Sequence, residues 1–470
     1  MTKKFISIIT LCLMFPSLAF CEKDEFLEEC LKLAQARDQK IAVAAEQVEL
    51  AQLRVTGAIR NYFPQVVLQS ETSKGKTALA ASGSIDSEEE YKSESVGVKA
   101  VLPIYQGGGT KATLKYNQLM KDAANFNYTK TREELYAKVK NAYYEYLTLK
   151  MEFLALSKAF EEVETLFSKT QIEYKAKAIS ELDLAESENF RDKVENLLMS
   201  SKINLEYATK KLAEIVGVPT LEEIPGTVSE ELPTDAFEIA FNLQDCISFV
   251  QSNNLDVQSA RLQLEMADEK IKINRAKILP KLSAEGFYGK AGEAFVTEPL
   301  QLTTSWSLAA KLSWGLWGNT LGASYSMDRT DPTSIVDASK RVETDVFSVQ
   351  LSILDDIQYF VDAKESTVSK RQLNADLVDL LRDARMAVEK AYNEYVISLS
   401  SARVYRNELK VKERKLELMK KRNDLYEVQT VELMEQSWNY AEAISSFTRA
   451  LFSNISSIVE LERLTLMTLR

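Results

Sequence analysis

The octapeptide "VKNAYYEY" at residues 139–146 returns as "VEKAYNEY" at 388–395, and no other feature constrains the fold as tightly. Five of the eight residues match: Val139/Val388, Ala142/Ala391, Tyr143/Tyr392, Glu145/Glu394 and Tyr146/Tyr395. The flanks agree at the same offset of 249, where "SVGVKAVLPIYQG" (95–107) lies against "TDVFSVQLSILDD" (344–356). Downstream, "YKAKAISELDLAE" (174–186) lies against "YEVQTVELMEQSW" (426–438) at offset 252. Upstream the offset is 216, pairing Cys30/Cys246, Ala44/Ala260, Glu49/Glu265, Ala51/Ala267 and Pro64/Pro280. An internal duplication therefore covers the chain, with about 33 extra residues between Pro280 and Thr344 of the second copy.

From Thr110 to Val216 there is neither glycine nor proline. Inside that stretch Leu135, Val139, Ala142, Tyr146, Leu149, Phe153, Leu156, Phe160, Val163, Phe167, Thr170 and Tyr174 alternate spacings of four and three. Such a seam specifies a left-handed coiled coil. An ordinary amphipathic helix fails on length, since globular helices average about 11 residues. The pattern weakens near Ala178–Ser180. It predicts a long helix over 110–177, about 100 Å at ~1.5 Å per residue, and a return helix over 181–216. The second copy predicts a long helix over 356–428 and a return helix over 433–470. Shorter helices, 24–62 and 235–279, enter the two repeats. Two short helices stacked end to end span one long one, so the expected form is a rod of paired coiled coils. "GVPTLEEIPGTVSEELPTD" (217–235) reads as a linker over 218–234, between a first repeat (20–217) and a second (235–470).

Just before each long helix the period changes to two. In "SWSLAAKLSWGLW" Trp306, Leu308, Ala310, Leu312, Trp314 and Leu316 face one way, and Ser307, Ala309, Lys311 and Ser313 the other. In "VFSVQLSILDD" Phe347, Val349, Leu351 and Ile353 oppose Ser348, Gln350 and Ser352. Strands are predicted over 65–74, 92–105, 281–290 and 342–355. The extra residues either add a hairpin near 303–316 and 319–328 or build an outer loop. A soluble sheet also alternates. Strand lengths near ten, tryptophans at the ends of one run and the want of a spanning helix point instead to outer-membrane barrel strands. Four to six strands cannot close such a barrel, and open edges cannot face lipid. The chain must then oligomerise, each copy supplying a sector. The expected fold class is mainly α with a β-barrel part: duplicated coiled-coil α-helical hairpins plus strands of a transmembrane β-barrel shared between copies.

The first residues read as a secretory signal over 1–19: Lys3 and Lys4, an apolar run from Phe5 to Phe15, then Ser17 and Ala19 as a small-x-small site. Cleavage after 21 is the alternative. "LAFC" (18–21) is similar to a lipoprotein box, with Phe20 where a small residue belongs, so lipidation at Cys21 stays open. The net charge of −11 becomes −13 once Lys3 and Lys4 leave, which argues against a nucleic-acid partner. Cys30 and Cys246 sit at equivalent positions of two repeats, which favours two small buried residues over a disulfide. The chain holds no histidine, which removes the commonest general base and metal ligand together. "QGGGT" (106–110) reads as a turn rather than a phosphate loop. Neither catalysis nor a cofactor or metal is expected.

The duplicated strand–strand–long helix–short helix units, "VLPIYQGG", and the turn segments "YKAKAISELDL" and "YEVQTVELMEQ" resemble the TolC family of outer-membrane efflux and secretion channels. The resemblance runs over essentially the whole mature chain and rests on order and spacing rather than on one motif. It implies a homotrimeric conduit in the outer membrane of a Gram-negative bacterium, continued by a helical tunnel through the periplasm. It also implies a periplasmic adaptor and an inner-membrane transporter as partners at the helical tips. Position by position, Asp183 matches the family's first-turn aspartate, Tyr426 its second-turn tyrosine and Glu435 one acidic ring position. The turn glycines are Lys177 and Gln429 here, the gate arginine is Val431 and the second acidic position is Trp438. The resemblance thus implies a gate held less by charge and more by packing. The alternative function is a structural coiled-coil envelope spacer that carries no flux, and Asp183 and Glu435 can equally be ordinary solvated turn residues.

Overall fold

The computed structural model describes residues 25–78, 88–225, 236–295, 299–316, 318–331, 342–355, 357–425 and 427–467. The signal segment, Cys21 and much of the linker lie outside the described residues. In the first half, α1 (Glu25–Arg37) and α2 (Gln39–Arg60) lead to β1 (Gln65–Ala78) and β2 (Glu88–Gln106), then α3 (Gly109–Lys175) and α4 (Glu181–Val216). The second half runs α5 (Leu243–Asn253), α6 (Leu255–Arg275), β3 (Lys281–Phe295), β4 (Thr303–Leu316), β5 (Asn319–Thr330), β6 (Val342–Ser352), α7 (Gln358–Asp424) and α8 (Thr430–Thr465).

Two departures from expectation have local causes. Each entering segment, predicted as one helix over 24–62 or 235–279, is two helices. The breaks fall at Asp38 and Asn254, which the 216 offset pairs. Asp38 accepts a hydrogen bond from the Ile41 N–H at 3.0 Å, and Asn254 accepts from Asp256 and Val257 at 3.0 and 3.2 Å. A capping side chain satisfies the first amides of a new helix and so competes with continuation of the old one. The second departure concerns ends. α7 begins at Gln358 and stops at Asp424 rather than spanning 356–428, and α8 begins at Thr430 rather than 433. The "QGGGT" turn joins β2 to α3. Gly107 has φ +61°, and a Cβ there would lie 2.8 Å from the Ala276 carbonyl oxygen, so glycine is required on both counts.

The fold divides into two compact units, and each is assembled from both halves of the sequence. The first takes the described residues within 1–37, 138–236 and 400–455. Phe26 of α1 stacks on Tyr143 with centroids 6.0 Å apart, and Arg37 donates to the Gly217 carbonyl at 2.6 Å. The seam of α3 is the core here: Leu156, Val163 and Phe167 pack with Val194 of α4 and with Met434 and Ala441 of α8. Full burial of one such side chain contributes roughly 1.5–3 kcal/mol.

The second unit takes 38–137, 237–399 and the described residues of 456–470. It holds the β-sheet and, among the described residues, helical cores around α5, α7 and α8. Cys246, Ile247 and Val250 of α5 pack on Val388 of α7; Ala391 and Tyr395 of α7 pack on Ile458 and Leu461 of α8. The Tyr395 hydroxyl accepts from the Ile239 N–H at 2.9 Å. α6 is tied to α7 by polar groups. Asn274 donates to Ser366 at 2.5 Å, and Lys277 and Lys370 bridge to Asp362 and Asp268 at 2.5 Å each. Lys277 foremost, then Gln358, hold the Asp362 carboxyl below its ordinary range. Cys30 in the first unit and Cys246 in the second are buried thiols, and neither forms a disulfide. Among the described residues no helix is long and apolar enough to cross a membrane.

Candidate functional site

The sheet is a six-stranded antiparallel meander in the order β1-β2-β3-β4-β5-β6. Its register sorts side chains into two opposed faces. One cross-strand row runs Leu68, Val98, Tyr288, Trp306, Arg329 and Glu343; the next runs Val66, Ala100, Gly286, Leu308, Met327 and Asp345. Below them lie Leu102, Ala284, Ala310, Tyr325 and Phe347. This face is apolar yet uncovered: Leu68 is 83% exposed, Phe347 70% and Ile353 72%. A contiguous apolar face left open to that degree marks a lipid or partner surface.

Trp306 and Trp314 frame the band along β4. Eight residues at ~3.3 Å cover about 26 Å of strand, or about 20 Å of membrane normal at a tilt near 40°. Charge gathers on this face only at one end, where Arg329 meets Asp345 at 2.9 Å and Glu343 at 3.6 Å. The connections at that same end are long (79–87, 296–302 and 331–341), whereas Gly318 closes a tight β4–β5 turn at the other, where the helices attach. Long loops outside and short turns inside are the asymmetry of outer-membrane barrels.

The reverse face is polar. Ser305 bonds Thr330 at 3.0 Å and Ser324 bonds Ser348 at 2.7 Å across neighbouring strands. Glu285 is gripped from both sides, by Lys311 at 2.9 Å and by Lys99 at 3.4 Å. This three-strand charge cluster was not singled out from the sequence; Lys311 and Lys99 each sit at a polar alternation position, which was the available signal.

The helix turns lie in the first unit. Just past the end of α3, Lys177 stands at φ +59°, its N–H bonded to Tyr174 at 2.8 Å, while Ala178 donates back to Glu173 at 2.9 Å. That is a Schellman closure with lysine where glycine is favoured. Three residues on, Ser180 and Asp183 form a capping box: the Ser180 N–H and hydroxyl donate to the Asp183 carboxylate at 2.9 and 2.8 Å, and the Asp183 N–H donates to the Ser180 hydroxyl oxygen at 3.1 Å. The backbone bond first and the hydroxyl second hold the Asp183 carboxyl below its ordinary range.

At the second turn the Glu427 N–H reaches the Arg422 carbonyl at 2.9 Å, the counterpart of the Ala178–Glu173 bond. Tyr426 itself lies outside the described residues. Val431, Leu433 and Met434 are buried, whereas Glu432 and Glu435 are exposed on one face of α8. Trp438 packs against the Met434 core, with the Lys193 ammonium 5.6 Å from its ring centre. Polar links join the two hairpins: Thr430 donates to Glu173 at 2.9 Å, and Lys169 donates to Asn423 at 2.7 Å. Asn423 in turn donates to the Val428 carbonyl at 2.9 Å. Sequence reasoning missed these four residues, because each pair joins positions some 250 apart. Asp183, by contrast, is engaged within its own turn.

Residues 30–218 match the family described as outer membrane efflux protein. Several solved structures share the fold. The Campylobacter jejuni CmeC outer membrane channel is 17% identical at a TM-score of 0.66, over 94% of this chain and 86% of that one. The open state of the Neisseria gonorrhoeae MtrE outer membrane channel is 13% identical at 0.69, over 95% and 90%. A membrane protein from Pseudomonas aeruginosa is 14% identical at 0.70, over 94% and 90%. No curated protein sequence matches the chain.

Proposed function

We propose that this chain, whose residues 30–218 match the outer membrane efflux protein family, is the duct subunit of a tripartite efflux or type I secretion system. Three copies complete a barrel in the outer membrane of a Gram-negative cell, and the helices extend into the periplasm. A periplasmic adaptor and an inner-membrane transporter deliver solutes or proteins at the helix turns, and the cargo passes untransformed.

One observation carries the reading: a sheet apolar and exposed on one face, serine-rich and salt-bridged on the other, with two edges open among the described residues. A coiled-coil spacer without flux has no use for the polar face. The helices add a second support. Val404, Val411 and Leu418 of α7, with Leu425 just past its end, repeat every seven residues and stay between 55% and 69% exposed. Met199, Ile203 and Tyr207 of α4, four apart and equally open, supply an opposing stripe for the next copy.

The gate lies at the turns, around Asp183, Tyr426 and Glu435. Val431 and Met434 hold it by packing, assisted by Thr430–Glu173 and Lys169–Asn423. Three copies of Glu435 round one axis repel one another and attract cations. Glu435→Gln is therefore expected to weaken cation block and cation preference in bilayer conductance; an unchanged profile removes Glu435 from the gate. The reading as a whole is tested by planar-bilayer conductance of the detergent-purified protein with its mass measured in parallel. A conducting trimer is expected. A water-soluble single chain with no affinity for detergent would end the proposal.

A further inference from the structure

The extra hairpin sits where it changes the size of the conduit. β4 and β5 lie between β3 and β6, the counterparts of β1 and β2 under the internal repeat, which pair directly with each other. The insertion is therefore part of the wall: 11 residues of β3 pair with β4, 12 of β4 with β5, and 11 of β5 with β6. Both faces also continue through it without a break. The apolar row passes Ala284, Ala310, Tyr325 and Phe347, and the polar row passes Ser283, Lys311, Ser324 and Ser348.

Among the described residues β1 and β6 are the sheet's two edges, each paired on one side only. Open edges are not tolerated in hydrocarbon. Six antiparallel strands leave β1 and β6 running in opposite directions, so β6 of one copy can pair antiparallel with β1 of the next. The facing edges agree chemically as well. Val66 and Leu68 of β1 and Phe347, Val349 and Leu351 of β6 lie on the lipid side, while Gln69 and Ser348 lie on the polar side.

We propose that the partner of both edges is a second copy of this chain, and that three copies close an 18-stranded barrel to which β4 and β5 contribute six strands. The inference rests on the trimeric duct proposed above. With strands ~4.8 Å apart and tilted about 40°, 18 strands give a backbone diameter of about 36 Å and 12 strands about 24 Å. Barrels of 16–18 strands leave an open aqueous channel. Removal of two strands keeps the up-down alternation, so a chain lacking residues 300–339 still presents an even, closable sector of four strands.

Two measurements on the full chain and the deletion variant test this. In the first, Ser348→Cys is combined in turn with Gln65→Cys, Val67→Cys or Gln69→Cys, and the oxidised membranes are run on a non-reducing gel. The two edges of one copy lie five strand spacings apart, about 24 Å, far beyond disulfide reach, so any bond formed links copies. At least one pair is expected to yield a covalent trimer, and Val349→Cys with Gln69→Cys, on opposite faces, is expected not to. In the second, electron-microscopy projections of the oligomer in lipid nanodiscs give the barrel diameter. About 36 Å is expected for the full chain, reduced by about a third in the deletion variant if it assembles. A trimer whose full-length barrel measures about 24 Å, or one in which no β1–β6 pair cross-links, overturns the strand count and leaves the duct intact. A protein that forms no ring at all overturns the duct reading and this inference with it.

Discussion

The two long helices, α3 and α7, hold 67 residues each, yet they meet their surroundings differently. Much of the α3 seam is covered by its own chain: Leu135, Val139, Leu156, Val163 and Phe167 are all buried, and Tyr174 at its far end is exposed. α7 buries a short inner row, Val388, Ala391, Tyr395, Ser398 and Ala402, and then carries a second heptad row, Val404 to Leu418, into the open. The same seven-residue spacing thus serves two ends. On α3 it packs a chain against itself; on α7 it has no cover within the chain and suits a neighbour. A coiled-coil repeat specifies a seam, not the molecule on its far side.

Substitutions can break that contrast. The largest effect is expected from Val163→Asp, which places an unpaired charge in the Leu156–Phe167–Val194–Met434 cluster. A loss of several kcal/mol, about 3–5, follows from burying an uncompensated charge in a close-packed core. It is to be read as collapse of the thermal or denaturant midpoint. Val411→Glu combined with Leu418→Glu puts equal charge on the open row of α7. Helical content and subunit stability should stay within about 0.5 kcal/mol, as for other exposed sites, while the proposed trimer dissociates in native mass spectrometry. If both variants lose the fold, or both keep the trimer, the contrast between the helices is wrong.

Smaller effects sharpen it at the first turn. Asp183 has a depressed folded value, so its support of the α4 start is complete above the ordinary carboxylate range. That support is lost as pH falls through the depressed value. Hydrogen exchange at the Ser180 amide should show this loss on acidification, relative to intrinsic rates, and Asp183→Asn should flatten it. Protection that is independent of pH in the parent chain would remove the capping role. The smallest change is expected from Lys177→Gly. Relief of the left-handed residue outweighs the added chain entropy by about 0.5 kcal/mol, seen as a slightly raised unfolding midpoint with unchanged oligomeric state.

Much of this was legible before any coordinates. The α3 seam, the alternation of β4 and β6 and the position of the extra residues all follow from spacing. The breaks at Asp38 and Asn254 were also within reach, because both are capping residue types at equivalent positions, but a heptad count passes over them. The helix-turn links were out of reach. Nothing in the order of residues pairs Thr430 with Glu173, or Glu285 with two lysines on different strands. Of the candidate tip residues, Asp183 and Glu435 could be located at their turns, and the capping box of Asp183 is visible in hindsight in the spacing of "SELD".

Periodicity is a local property, and so the order of helices and strands and the character of each face were already settled along the chain. Coverage is not local. Whether Val163 or Val411 is sheltered, and whether the inserted hairpin joins the sheet or hangs outside it, depends on which distant segments meet. The folded chain answers this by pairing β3 with β4 and β5 with β6, by sheltering much of the α3 seam, and by leaving the second row of α7 and, among the described residues, the two sheet edges bare.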